Sequence, residues 1–191
     1  MTKQSILRLL ILLLFVVQSQ ALIHAQQKTR LGINITTNID QFSNIKPEVG
    51  ILFEKQISNH SGFEVGVNYR TYQQEFLIII NNQAYYPSIN EKYISIPFSY
   101  KFYSKIVNAG LGITYDYYLG WKQLGGSTEM TSYRPGDDYF MGLIGKISQQ
   151  ISLGDNFILE PEIKFNILVV PSERHYFGFG LITKFDLQKN K

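Results

Sequence analysis

The sequence predicts an all-β protein, an eight-stranded antiparallel up-and-down transmembrane β-barrel. Three observations predict it. Apolar and polar residues alternate with period two along eight segments. The apolar set is bulky and aromatic, whereas the alternate set is rich in Gly, Ser and Asn. The connections between segments alternate short and long. Successive strand side chains point to opposite faces, so period two reports a strand between two different environments. A continuous apolar row facing lipid, around a narrow polar interior of small residues, fits the second observation. The segments also match the ~9–11 residues that a tilted strand needs to cross a bilayer.

The elements follow in chain order. Residues 1–25 read as a secretory leader, with Lys3 and Arg8 before the apolar run Leu9–Val17 and the small Ala25 at the exit. The run is far shorter than the ~20 residues of a spanning helix. Residues 26–191 then form the barrel domain. Leu31–Thr37 sets Leu31, Ile33 and Ile35 against Gly32, Asn34 and Thr36. Glu48–Ile57 sets Val49, Ile51 and Phe53 against Glu48, Gly50 and Glu54. Phe63–Tyr72 sets Phe63, Val65 and Val67 against Glu64, Gly66 and Asn68. Ile94–Phe102 sets Ile96, Phe98 and Tyr100 against Ser95, Pro97 and Ser99. Val107–Trp121 is the clearest, with Leu111, Ile113, Tyr117 and Trp121 on one face and Gly110, Gly112, Thr114 and Asp116 on the other. Tyr139–Ile151 alternates except at Ile144 and Gly145. Phe157–Ile167 and Phe177–Leu187 complete the set.

Short connections fall at Ser58–Gly62, Ser104–Lys105 and Gly154–Asn156, and read as hairpin turns. Longer ones are expected at Asn38–Pro47, Gln73–Glu91, Lys122–Asp138 and Leu168–Tyr176. Transmembrane barrels pair short periplasmic turns with longer outer loops, which places both termini in the periplasm. Tyr117, Tyr118, Trp121, Tyr139, Tyr176 and Phe177 gather near the long-loop ends, as an interface belt requires.

Composition excludes several classes. With 17% charged and 14% aromatic residues the chain is not disordered. Zero Cys excludes a disulfide scaffold and a thiolate metal site. A net charge of +3, with no run of Lys or Arg, gives no electrostatic footprint for nucleic acid.

The segments Tyr93–Phe102, Val107–Gly112 and Phe177–Gly180 carry a resemblance. Through them the chain resembles the PorT-like small outer-membrane β-barrel proteins, the outer membrane protein beta-barrel domain family. The resemblance implies a cell outer-membrane location in a Gram-negative bacterium and assembly by the insertion machinery there. It implies no reaction. Many such barrels end on an aromatic residue, whereas this chain runs past Phe185 to Lys191.

The polar face carries acids Glu48, Glu54, Glu64, Asp116, Glu160, Glu162 and Asp186, and bases Arg70, Lys101, Lys146, Lys164 and Lys184. Buried charges must pair, so a salt-bridged plug is expected in place of a pore. His60 and Ser61 are adjacent in a turn and would point apart, which argues against a nucleophile–base pair. His175 is expected in a solvated loop beside Glu173 and Arg174. Asp137 and Asp138 follow Pro135–Gly136 and are too few ligands for calcium. Phe76–Ile80 before Asn81–Asn82 suggests a hairpin above the membrane that offers an edge strand to a protein partner within the 73–91 loop. No catalytic, cofactor or metal residue is assigned.

The expectation is a non-enzymatic outer-membrane barrel with outer-membrane lipid around it and a structural, adhesive or envelope-complex role. Two alternatives remain: a soluble lipocalin-like barrel with apolar residues inside, and a lipid-modifying barrel enzyme.

Overall fold

The computed structural model describes residues 28–40, 44–126, 130, 132–170 and 174–187. The expected leader, Glu173 and the tail beyond Leu187 lie outside the described residues. Eleven strands are formed: β1 (Thr29–Asp40), β2 (Ile45–Gln56), β3 (Ser61–Glu75), β4 (Ile78–Ile80), β5 (Gln83–Tyr85), β6 (Ser88–Phe102), β7 (Asn108–Gly125), β8 (Tyr139–Ser148), β9 (Ile151–Ser152), β10 (Phe157–Val170) and β11 (Arg174–Asp186). The order β1-β2-β3-β6-β7-β8-β10-β11 closes when β11 pairs with β1, giving a ring of eight strands. All pairings are antiparallel. Closure removes the free sheet edge.

The alternation has the expected sense. Leu111, Ile113 and Phe179 are 70%, 53% and 51% exposed on the outer wall. Glu48, Glu54, Glu160 and Lys184 are buried within. The arrangement expected of a soluble barrel, apolar inside and charged outside, is not what the chain adopts.

Two strand irregularities have a common cause. β9 continues β8 in one register along β10, because Ser148 faces Glu162 and Ile151 faces Leu159. The interruption lies opposite Pro161, which has no N–H to return to Gln149. Likewise the β3–β6 ladder skips the rungs of Gly66 and Val67, opposite Pro97 and Ile96.

β4 and β5 form a separate two-stranded ribbon that prolongs the β3–β6 pair in the same register. Phe76 donates its N–H to the Pro87 carbonyl at 3.1 Å and bridges the two parts. Asn81 and Asn82, at φ 51° and 61°, close it. Two positive φ values mark the tight turn whose twist suits a hairpin.

Several expectations are corrected. The connections expected at Asn38–Pro47 and Leu168–Tyr176 shrink to residues 41–44 and 171–173, because β1, β10 and β11 run further. Asn38, Asp40 and Arg174 had the polarity of loop residues, yet all are buried inside the ring. In a polar-filled barrel, polarity does not mark a strand end. Ile144 and Gly145 do not break the alternation either: Ile144 is buried inside, and Gly145 on the outer wall has open space at its Cβ position. Trp121 does not share a face with Leu111. The register shifts by one at Lys92/Tyr93 against Gly120/Tyr118, and Gly120 takes φ +149°. That bulge inverts the phase, so Trp121 stands across from the buried Glu91.

Candidate functional site

The lumen is where strands from every side bring chemically active side chains together. One end of it bears the short turns, residues 57–60, 103–107 and 153–156, and the other bears the two long connections, residues 76–87 and 126–138. Both Lys28 and Leu187 also lie at the turn end: Gln56 donates its N–H to the Lys28 carbonyl, and Leu187 to that of Thr29.

Above the turn end sits a cluster of bases and carboxylates. Lys184 Nζ lies 2.5 Å from Glu54, 2.8 Å from Glu160 and 3.1 Å from Glu64. Lys101 pairs with Glu54 at 3.0 Å, with Glu64 at 3.7 Å and also with Glu160. Lys146 bridges Glu64 at 2.6 Å and Glu162 at 3.5 Å. Arg30 closes the cluster against Glu54 and, at 3.8 Å, Asp186. Each carboxylate here meets at least one cation, which is the condition for keeping charges out of water.

The middle layer holds the pairs Lys164–Glu48 and Arg70–Asp116. Asn38 and Asn68 each donate to Glu48 at 2.8 Å. A Cβ on Gly178 would come within 3.0 Å of the Lys164 side chain, so glycine there makes room for the pair.

The loop end is closed by aromatic rings around a cation. Tyr72, Tyr93, Phe140, Leu168 and Tyr176 form one buried apolar cluster. The Arg174 guanidinium lies 4.1 Å from the Phe140 ring centroid and 4.5 Å from that of Tyr72. It pairs with Glu91 at 2.7 Å. Arg70 stacks over Tyr176 at 4.5 Å. Cations over ring faces are attracted by the ring quadrupole, more so when desolvated. Tyr133, from the loop before β8, reaches in and donates its hydroxyl to Glu91. Phe76 and Trp121 pack on its ring at 5.3 and 5.8 Å. Burial and the bond to Glu91 raise the Tyr133 phenol above its ordinary range, so it stays a donor.

All twelve charged residues expected on the polar face do line the lumen. Arg30, Glu91, Arg174 and the tyrosines of the outer closure were not foreseen. Each lies on the inward parity of its strand: Arg30 with Gly32 and Asn34, Glu91 with Tyr93 and Ser95, Arg174 with Gly178 and Gly180. Of the aromatics expected in a belt, Tyr117, Tyr139 and Phe177 are exposed on the outside, whereas Tyr176 is buried inside and Tyr118 packs on Tyr93.

His60 and Ser61 are not brought together as a pair. Ser61 Oγ bonds to Ser58 Oγ at 2.7 Å, and the His60 ring stacks on Phe102 at 6.3 Å. His175 lies on β11 instead of in a loop, its ring parallel to that of Phe165 at 6.4 Å. Asp138 is taken up by Arg134 through two bonds of 3.0 and 2.5 Å, and that side-chain bond holds its carboxyl below the usual range.

The sequence matches no family model and no curated protein. Solved structures do match in shape. The outer membrane protein OprG from Pseudomonas aeruginosa aligns over 84% of this chain and 96% of its own, with 11% identity and a TM-score of 0.51. Neisserial surface protein A covers 84% and 97%, with 11% identity and a TM-score of 0.48. Ail, the attachment invasion locus protein of Yersinia pestis, crystallised with the heparin analogue sucrose octasulfate, covers 84% and 97% at 10% identity and a TM-score of 0.47. At such identities the likeness is one of fold, and that fold is the eight-stranded antiparallel β-barrel.

Proposed function

We propose that the chain is an integral outer-membrane β-barrel protein with a non-enzymatic role in an envelope complex. One observation carries this reading: the outer wall carries a broad apolar belt, while the ion-paired groups of the lumen are sealed inside. Leu31, Ile33, Ile35, Ile51, Leu111 and Phe179 all face outward with nothing over them. Monomeric soluble proteins rarely expose apolar patches above a few hundred Å². A lumen filled by salt bridges and capped by rings leaves no room for a pore. The resemblance to PorT-like barrels supports a membrane component of a larger system, and a leader over residues 1–25 supports export. With short turns in the periplasm, both termini lie there.

The β4–β5 ribbon is the partner-facing part. Leu77, Ile79 and Tyr86 are exposed on its outward face. They are separated from the apolar wall by Thr71, Gln73, Lys92 and Asn90. That polar band suits headgroups, and the ribbon beyond it suits a protein surface.

The test is fractionation of cells expressing the chain, with heat-modifiable mobility of the detergent-extracted protein. Recovery in the outer-membrane fraction, with slower migration after boiling, is expected. Recovery in the soluble fraction without detergent overturns the reading.

A further inference from the structure

We propose that the turn-end mouth of the barrel binds an acidic peptide segment. The mouth is a polar basin of about 390 Å³, inside the ~300–1,000 Å³ typical of ligand sites. Its chemistry is unlike the apolar lining common to such sites. Lys28 and Lys105 stand on the basin wall, with amides of Gln56, Asn59, Gln149 and Gln150 beside them. Among the described residues no carboxylate lines it. The acids behind it, Glu54 and Asp186, are already paired with Arg30, so the charge of Lys28 and Lys105 is uncompensated among the described residues.

Amide side chains offer donors and acceptors together, which match the alternating N–H and C=O of a peptide backbone. The lysines add preference for carboxylate side chains and speed encounter.

The basin lies at the opposite end from the β4–β5 ribbon, and its inference holds whichever side of a membrane the turns occupy. The test uses the full chain refolded in detergent micelles, with a fluorescent hexaglutamate peptide read by anisotropy. Saturable binding that weakens with added salt is expected. The double variant Lys28→Glu, Lys105→Glu, both side chains being outside the ion-pair network, should bind about tenfold or more weakly with unchanged heat-modifiable mobility. Absence of saturable hexaglutamate binding, equal binding by hexalysine or by the charge-reversed variant, or binding of trigalacturonic acid alone overturns the proposal.

Discussion

Gln149 donates its backbone N–H to the Pro161 carbonyl at 3.2 Å, and Pro161 has no N–H to give back. The two residues occupy a hydrogen-bonded rung of an antiparallel ladder with one bond missing. The Gln149 carbonyl is thereby left without its ladder donor. Pro161 itself is exposed on the outside, across from Leu181, so a larger apolar side chain there stays out of the lumen. Pro161→Leu should restore the bond and raise stability by about 0.5–1.5 kcal/mol. Urea unfolding of the barrel in lipid vesicles checks this, and an unchanged or lower midpoint would show that the proline is not what breaks the strand.

Lys184 is the hub of the charged cluster, within 3.1 Å of three carboxylates on three different strands. Replacing it by methionine keeps the volume and removes the charge. Glu54 then keeps Arg30 and Lys101, but Glu160 is left with Lys101 as its one cation among the described residues. Breaking a buried ion network from one side leaves uncompensated charge, at a cost of about 3–5 kcal/mol. Lys184→Met should unfold at clearly lower urea than the parent. Combining it with Glu160→Gln, which removes one stranded charge, should recover part of the loss. Additive destabilisation in the double variant would deny the coupling.

These two cases also show what the sequence discloses and what it hides. Lys184 and Glu160 were legible, because period-two alternation places both on the inward face of long, clean strands. Glu91, Arg174 and Arg30 sit on the same parity, but beyond the point where apolar partners stop marking the strand. Polar residues at a strand end look like a loop unless the lumen is known to be filled with charge. Trp121 was hidden for a different reason: a single bulge at Gly120 inverts the phase, and nothing in the alternation before it announces the change.

The outer closure depends on a loop residue. Tyr133 donates to Glu91 and lies 3.3 Å from Gln74, while Phe76 and Trp121 hold its ring. Tyr133→Phe keeps the ring contacts and removes the donor. Glu91 retains Arg174 and the Tyr93 hydroxyl at 2.8 Å, so the barrel wall should hold. A bond to a charged acceptor is worth about 1.5–3 kcal/mol, and its loss should appear as easier local opening. Amides flanking Tyr133, such as that of Asp138, should exchange faster while the urea midpoint moves little. A large midpoint shift with unaltered local exchange would mean that Tyr133 braces the wall and does not latch the loop.

Leu111 separates a membrane barrel from a water-soluble one more cleanly than any luminal residue. It projects outward from the turn-end part of β7, three residues after Asn108, between the inward Gly110 and Gly112, and nothing covers it. In water, arginine at so exposed a site would be harmless and would improve solubility, since surface changes of this kind stay within about ±0.5 kcal/mol. In a bilayer the same side chain faces acyl tails and costs about 2–4 kcal/mol near the midplane. The two environments thus predict opposite results from one substitution that disturbs no internal contact. Leu111→Arg should lower stability in lipid vesicles and slow insertion. Equal folding of parent and variant in vesicles would remove lipid from the account of the outer wall.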